Sequence, residues 1–304
     1  MRGQPVRVAA IDCGTNTIKL LVLDTDGADL EREMRIVRLG QDVDRTGRLA
    51  EEALERTFAA VEEYADLVAR HGVDRVRFCA TSATRDAANA ADFAAGVRAR
   101  LGVAPEVVSG DEEAALAWAG AKRGLPGLAG PVVVLDIGGG STELVLGSGA
   151  TPDAAHSMDI GSVRMTERHL RSDPPSTDEV AACVADVDAA LDTCPVDPGA
   201  AVTMVGVAGT VTTLAAGVIG LTAYDRSATH GARLPVAQVH ALCDRLVGST
   251  AAERAEMAWL HPGRADVIAA GALVLSRVLA RSRVSELVVS EADILDGIAW
   301  SLRE

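Results

Sequence analysis

Two segments of the chain repeat each other without a gap, and this duplication constrains the fold more than any other feature. Residues 8–23 read VAAIDCGTNTIKLLVL and residues 132–147 read VVVLDIGGGSTELVLG. In each, an apolar run leads through an aspartate and a glycine-containing turn into a second apolar run, which is typical of a strand–turn–strand unit. In this alignment Asp12 lies on Asp136, Gly14 on Gly138, and Lys19 on Glu143. We therefore expect two related units in one chain.

Strands and helices alternate after each repeat. Apolar residues at helical spacing predict a helix at about 50–71, and further helices are predicted at 85–101 and 264–282. The Gly/Pro-rich stretch GLPGLAGP, residues 124–131, is the best candidate for a domain boundary. A chain of 304 residues is long enough for two domains. We expect two similar α/β domains, 1–124 and 125–304, facing each other across a cleft.

Composition and charge exclude several classes of function. A net charge of −14 argues against nonspecific nucleic-acid binding. No run of about 18 uncharged apolar residues is present, so we expect no membrane span. The N-terminus leads into a strand pattern without a separate signal segment. The five cysteines are odd in number and form no CxxC pair, which is typical of reduced thiols. We expect a cytoplasmic protein.

The two glycine turns favour phosphate binding. Glycine lets backbone N–H groups point together at an anion, and the hydroxyls of Thr15, Ser141 and Thr142 can add hydrogen bonds. A carboxylate beside a phosphate is repelled unless a cation lies between them, so Asp12 and Asp136 indicate a metal such as Mg²⁺. An ordinary hairpin turn would explain either segment alone. Their repetition favours phosphate.

Three further segments carry candidate site residues. In VVSGDEEA, residues 107–114, a serine N-cap and the first glutamate form a predicted capping box, which leaves Glu113 free. The alternative is that these acidic residues do no more than complement the dipole at the N-terminus of the helix. Thr81, Ser82 and Thr84 end a predicted strand and Arg85 begins a helix; hydroxyls and an arginine at a helix N-terminus suit an anion, although a capped helix with an exposed arginine is an equal alternative. In the second half, Gly209 and Thr210 likewise lie between a predicted strand and a predicted helix.

Basic residues are few and unevenly placed. Five arginines crowd one short stretch, namely Arg32, Arg35, Arg38, Arg45 and Arg48. If the ligand is an anion, this stretch could receive it. Lys19 is one of two lysines beside 27 arginines, which invites a functional interpretation without establishing one.

Taken together, these segments resemble the exopolyphosphatase and guanosine pentaphosphate phosphohydrolase family of the actin-like ATPase superfamily. The motifs recur in that family in this order: DCGTNTIKLLV, ATSATRDAANAADF, VVSGDEEA, LDIGGGSTELV, DIGSVRMTE and VAGT. The resemblance implies an α/β fold of two actin-like (ribonuclease H-like) domains with mixed sheets flanked by helices. The active site would lie in the interdomain cleft, and the last helix would pack back on the first domain.

The resemblance also implies roles for individual residues. Glu113 matches the family's catalytic base. Residues matching metal ligands are Asp12, Asp136 and Glu143. Residues matching the phosphate-binding loops and their neighbours are Gly14, Thr15, Asn16, Lys19, Arg85, Gly138, Gly139, Gly140, Ser141, Thr142, Gly209 and Thr210. The departures are DCGTNT, where the family commonly has DLGSNS, and the C-terminal VVSEADILDGI, for which no contacts are carried over.

The expected function is Mg²⁺-dependent release of orthophosphate from the end of inorganic polyphosphate. Mn²⁺ is an alternative metal, and a monovalent cation such as K⁺ is an additional candidate. Within the family, the alternative is removal of the 5′-phosphate of guanosine pentaphosphate, although the sequence reveals no apolar slot for its base. From other classes, an ATP-dependent kinase and a non-catalytic polyphosphate sensor stay open. By analogy with the family we expect a homodimer.

Overall fold

The computed structural model describes residues 6–303; the first five residues of the predicted N-terminal domain and Glu304 lie outside the described residues. Two mixed β-sheets flanked by helices make up the fold, which confirms the predicted fold class. The first sheet has the strand order β3-β2-β1-β4-β5. Its strands are β1 Val8–Cys13, β2 Thr17–Leu23, β3 Asp29–Ile36, β4 Arg75–Ala80 and β5 Glu106–Val107. Its helices are α1 Val43–Thr46, α2 Glu51–Arg70, α3 Ser82–Arg85, α4 Ala90–Leu101 and α5 Gly110–Gly124.

The second sheet repeats the first and adds one strand. Its strands are β6 Val132–Ile137, β7 Thr142–Gly147, β8 Ala154–Met158, β9 Thr203–Val207, β10 Arg233–Pro235 and β11 Glu286–Val289. The order β8-β7-β6-β9-β11 corresponds to β3-β2-β1-β4-β5, and β10 is added at the edge. The helices are α6 Ser162–His169, α7 Thr177–Thr193, α8 Ala208–Ile219, α9 Arg226–Thr229, α10 Val236–Gly248, α11 Ala251–Ala255, α12 Ile268–Arg281 and α13 Ile294–Ser301.

Strand register shows that the sequence repeat is a structural repeat. In the antiparallel pair β1–β2, Asp12 lies opposite Lys19. In the antiparallel pair β6–β7, Asp136 lies opposite Glu143. Each aspartate-bearing strand also has a parallel neighbour on its other side, β4 or β9. Both aspartates therefore stand near the end of a central strand, just before its turn.

The central strands are buried on both faces, as their nearly continuous apolar sequences require. Helices α2 and α4 cover one face of the first sheet, where Phe93 stacks on Phe58 and meets Phe78 edge to face. Helix α13 covers the other face and packs on β1 through Leu295 and Ile298, while α5 packs between α13 and the second sheet. We propose that the two sheets mark the two domains predicted from the sequence, with α13 returning to the first.

Several predicted elements differ at their ends. The strand expected at 33–39 lies at 29–36, because the backbone N–H of Val37 turns to the Asn16 carbonyl. The helix expected at 85–101 is split into α3 and α4, because the Asn89 side chain leaves the helix to bond both backbone groups of Leu49. The helix expected from 264 begins at Ile268, after a 3₁₀ turn over Pro262–Arg264. Within residues 6–303, no helix is both long and apolar enough to cross a membrane.

Candidate active site

The two glycine turns face each other and enclose a small cavity of about 60 Å³ between the sheets. Most of the residues singled out in the sequence line it: Asp12, Gly14, Thr15, Asn16, Lys19, Glu113, Asp136, Gly138, Gly139, Gly140, Ser141, Gly209 and Thr210. Three do not line it, namely Arg85, Thr142 and Glu143. The fold thus brings both turns, the start of α5 and the start of α8 to one place.

The glycine triplet is needed because the opposite turn packs directly against it. A Cβ on Gly139 would lie 3.0 Å from Thr15 Cβ and 3.1 Å from the Asn16 backbone nitrogen. A Cβ on Gly140 would collide with Thr15 Oγ1 and lie 2.5 Å from Ser82 Oγ. The bare backbone therefore admits the other half of the molecule, and the predicted contact of the same glycines with a phosphate stays a prediction.

The first turn carries polar atoms that have no protein partner. Thr15 Oγ1 and both amide atoms of Asn16 are buried and form no hydrogen bond with any described residue. Buried polar groups are nearly always paired, and both residues line the cavity. Donors and acceptors are thus available there for a ligand rich in oxygen atoms.

Helix α5 presents a buried glutamate to the cavity. Ser109 caps the helix by accepting a hydrogen bond from the Glu112 backbone nitrogen at 3.2 Å, but the Glu112 carboxylate pairs with Arg77 at 2.6 Å and does not complete a capping box. Glu113 points the other way and pairs with Arg85 at 3.0 Å. Burial raises the pKa of Glu113 to about 7, against the opposing effect of Arg85. A carboxylate with this pKa can accept a proton near neutral pH.

Lys19 links two buried carboxylates. Its Nζ lies 2.7 Å from Asp293 and 3.5 Å from Asp12. Burial raises the pKa of Asp12 to about 6, although Lys19 opposes the shift. Burial also raises the pKa of Asp136 well above its usual range, with the nearby Asp293 charge adding to the effect. Negative charge in this cavity is therefore only partly compensated by the protein.

The three predicted residues outside the cavity have protein partners. The Thr142 hydroxyl is fully buried and donates to the Ile160 carbonyl at 2.6 Å, so it fixes the strand rather than facing the cavity. Glu143 is buried behind Asp136 in the sheet and accepts a hydrogen bond from Ser157 at 2.6 Å. Arg85 holds Glu113 and donates to the Val108 carbonyl.

The crowded arginines have a different role from the one suggested by the sequence. Four of the five form ion pairs: Arg32 with Asp29 and Asp296, Arg35 with Glu33 and Glu63, Arg38 with Asp266, and Arg45 with Asp42. None of them lines the small cavity. Arg38 instead connects the first half to the second, because it also donates to the Gly263 carbonyl.

Thr81 and Ser82, expected from the sequence beside Arg85, also line the cavity, whereas sequence reasoning missed Arg264, which lines it, and Asp293, which pairs with Lys19. Arg264 is the most informative of them, because its guanidinium lies against Gly209 and forms no ion pair with any described residue. It precedes α12, far from every motif, so no local signal marked it. Ala208, beside Gly209, has a left-handed backbone with φ of 64°, which is unusual for a residue with a side chain.

A second, larger cavity of about 420 Å³ adjoins the first. The two share Lys19, Ala208, Gly209 and Arg264. Its walls include the apolar and aromatic side chains of Met34, Tyr224, Trp259, Leu260 and Leu295. A polar phosphate-sized cavity therefore opens beside a roomier and more apolar one.

Two facing glycine turns on repeated sheets, with a buried glutamate beside them, define a phosphoryl-binding protein of the actin-like architecture. The sequence profile of the Ppx/GppA phosphatase family matches residues 22–303. The chain belongs to this family.

Individual relatives agree with this assignment. The chain is 49% identical to exopolyphosphatase 2 of Mycobacterium tuberculosis, over 97% of this chain and 98% of that protein. A crystal structure of an exopolyphosphatase-like protein matches with a TM-score of 0.95 and 45% identity, covering 98% of this chain and 99% of that one. The Aquifex aeolicus member of the Ppx/GppA family matches with a TM-score of 0.82 and 32% identity, covering 98% and 97%.

Proposed function

We propose that this protein is an exopolyphosphatase, a hydrolase that removes the terminal phosphoryl group of inorganic polyphosphate. One observation carries the proposal: two oxygen-binding turns and a buried glutamate with a pKa of about 7 meet in a cavity of about 60 Å³. Such a volume suits one terminal phosphoryl group rather than a run of them, which favours attack at the chain end. The family and the exopolyphosphatase relatives point to the same substrate.

The turns would hold the phosphoryl oxygens. Backbone N–H groups of the glycine turns and the free polar atoms of Thr15 and Asn16 supply the hydrogen bonds. Arg264 supplies an uncompensated positive charge at the boundary between the two cavities. Fixed donors directed at developing negative charge are the main source of rate enhancement in such reactions.

The carboxylates at the cavity suit a divalent cation. No group of three or more His, Cys, Asp or Glu side chains within residues 6–303 forms a metal cage by itself. Mg²⁺ seldom needs one, since it keeps several waters and takes one or two carboxylates together with substrate phosphates. Asp12 and Asp136 both line the cavity, where burial raises the pKa of each carboxyl, so a bound cation would stabilise their ionised forms. We assign them as the residues that would hold Mg²⁺ or Mn²⁺, with Glu143 supporting Asp136 from behind.

A bound Mg²⁺ would neutralise charge on the phosphoryl group. Side chains of the protein carry out the proton transfer and hold the reacting groups in place. Glu113 accepts a proton from the attacking water, a role that contributes typically about 10²–10⁴-fold. Arg85 lowers the pKa of Glu113 against the effect of burial and fixes its carboxylate. Lys19 opposes the charge of Asp12 and Asp293. A monovalent cation such as K⁺ is a further candidate ligand of the phosphate chain.

The test is phosphate release with Mg²⁺ from short polyphosphate, long polyphosphate, guanosine pentaphosphate and ATP. We expect release from polyphosphate, and we expect Arg264→Met to raise KM because an unpaired guanidinium is lost from the cavity. Arg233→Met removes an exposed arginine far from the cavity and serves as the matched control. No release from either polyphosphate would contradict the proposal.

One observation favours guanosine pentaphosphate as a second candidate substrate. The apolar cavity of about 420 Å³ offers the slot that a nucleoside would need, and it opens onto the phosphate cavity at Arg264. Replacing Trp259 by Ala should then raise KM for guanosine pentaphosphate while KM for polyphosphate changes little. Equal effects on both substrates would remove the nucleoside from that cavity.

The alternatives from other classes make different predictions. A kinase would consume ATP only with an acceptor present, and a sensor would bind polyphosphate without releasing phosphate. A homodimer, expected from the resemblance, is measured by light scattering on the full chain.

A further inference from the structure

Arg164 is a buried arginine in α6 that the mechanism above does not use. Its side chain is 9% exposed, and it reaches from the second half of the molecule into the first. A guanidinium group presents five N–H donors in a rigid plane, so a buried one needs several acceptors around that plane. Arg164 has such a set, and the acceptors belong to segments that build the phosphate cavity.

Four acceptors surround the guanidinium. Nε donates to the Gly140 carbonyl at 2.7 Å, and Nη2 donates to Ser82 Oγ at 3.1 Å. Nη1 donates to Asp44 at 2.6 Å, and Nη2 also pairs with Asp86. Gly140 belongs to the second glycine turn, while the other three acceptors belong to the first half. One side chain therefore ties the second turn to three points on the opposite half.

Two of these acceptors are part of the cavity wall. Both Gly140 and Ser82 line the phosphate cavity, and they are in close contact with each other. Arg164 lies behind them, outside the lining, and holds the carbonyl of one and the hydroxyl of the other. These two hydrogen bonds fix the distance between the second glycine turn and Ser82 at the start of α3, where both line the cavity.

Neighbouring residues of α6 anchor the same contact without touching the cavity. Glu167 accepts the Asp42 backbone N–H at 3.0 Å, and Arg168 pairs with Asp44 at 2.6 Å. Positions 164, 167 and 168 share one helix face. The face as a whole docks on residues 42–44, but only Arg164 extends from this face to the turn and to Ser82.

We propose that Arg164 is a positioning residue that holds the second glycine turn at its working distance from Ser82, which lines the same cavity from the other half of the molecule. The proposal rests on the proposed function for its kinetic consequences. Arg164 touches no substrate; it acts through Gly140 and Ser82, whose donors and backbone must converge on one phosphoryl group. Misplacement of such groups by about 1 Å can cost on the order of 10²-fold in rate.

The test compares Arg164→Lys and Arg164→Met with Arg168→Met. Lysine keeps the positive charge and can pair with Asp44, but a single ammonium cannot reach all four acceptors. We expect Arg164→Lys to fold, to lose on the order of 10²-fold in kcat with polyphosphate and to keep KM within about threefold. Arg168→Met removes an ion pair to the same aspartate and should retain kcat within about twofold.

Hydrogen exchange supplies a readout that does not depend on activity. The amides of residues 138–142 should exchange faster in Arg164→Lys than in wild type or in Arg168→Met. If wild type releases no phosphate from polyphosphate, the proposed function fails and this exchange alone decides the positioning role. Wild-type exchange at 138–142 in Arg164→Lys would overturn the proposal, and so would wild-type kcat. Should Arg164→Met fail to fold, Arg164→Lys still decides.

Discussion

Gly140→Ala tests whether the two turns act as one packed unit. The added Cβ would lie 2.5 Å from Ser82 Oγ, about 0.9 Å short of an ordinary contact of 3.4 Å, and it would also collide with the Thr15 hydroxyl. Both neighbours belong to the other half of the molecule, so the turns must separate by a large part of an ångström. Inserting a methyl group into a packed site costs about 1–3 kcal/mol in the free energy of unfolding.

The same displacement acts on the reacting groups. Since a misplacement of about 1 Å costs on the order of 10²-fold, we expect kcat for phosphate release from polyphosphate to fall by about that factor. KM should change less, because the added Cβ contacts Thr15 and Ser82 and not the cations Arg264 and Lys19. The assay is steady-state phosphate release, accompanied by urea unfolding of the same preparation.

A second glycine substitution provides the control. Gly248 ends α10, and an added Cβ there meets nothing within 4 Å. Gly248→Ala should leave kcat unchanged and stabilise the protein slightly, because alanine favours the helix. Wild-type kcat in Gly140→Ala would refute the reasoning, since the turns would then tolerate separation during turnover.

Two further predictions concern charge. Because Glu113 acts as a base and its pKa is raised to about 7, kcat/KM should fall as the pH decreases through about 7. Arg85→Gln removes the group that lowers this pKa, so the fall in kcat/KM should begin at higher pH. An unchanged pH profile in Arg85→Gln would contradict the assignment of Glu113 as the base. Lys19→Met leaves Asp12 and Asp293 buried without a partner and should cost about 3–5 kcal/mol in urea unfolding at pH 7. The loss should shrink at pH 4, where carboxylates take up protons; an equal loss at both pH values would refute this cause.

Much of the fold could be predicted because it is encoded locally and twice. The aligned repeats gave both central hairpins, and the register pairs Asp12 with Lys19 and Asp136 with Glu143 as the alignment implied. Element ends were less predictable. The break between α3 and α4 depends on the Asn89 side chain bonding Leu49, forty residues away in sequence.

The candidate site was only partly accessible to sequence reasoning for a similar reason. Residues with hydroxyl or carboxyl groups beside a glycine turn can be recognised in the sequence. The direction in which each side chain points depends on strand register. Thr142 follows the glycine turn, yet its hydroxyl points to the Ile160 carbonyl. Arg264 and Arg164 reach the site, or its back wall, from distant helical segments, so no local pattern marks them.

The glycine triplet indicated close approach of another group, and the structure adds a protein partner that the sequence did not predict. The sequence suggested a phosphate against the triplet at 138–140. In the structure Thr15 and Ser82 make the close approach to Gly140. Which protein group approaches the triplet depends on the relative position of the two halves, and no local motif specifies that position.

The most direct test of the central claim is phosphate release from polyphosphate by wild type, Glu113→Gln and Glu112→Gln. Glu112 is the matched control, since it is adjacent in sequence but pairs with Arg77. The account predicts release by wild type, near-wild-type release by Glu112→Gln, and a loss of about 10²–10⁴-fold in Glu113→Gln with polyphosphate binding retained. Wild-type turnover in Glu113→Gln would remove the proposed base and contradict the mechanism built on this cavity.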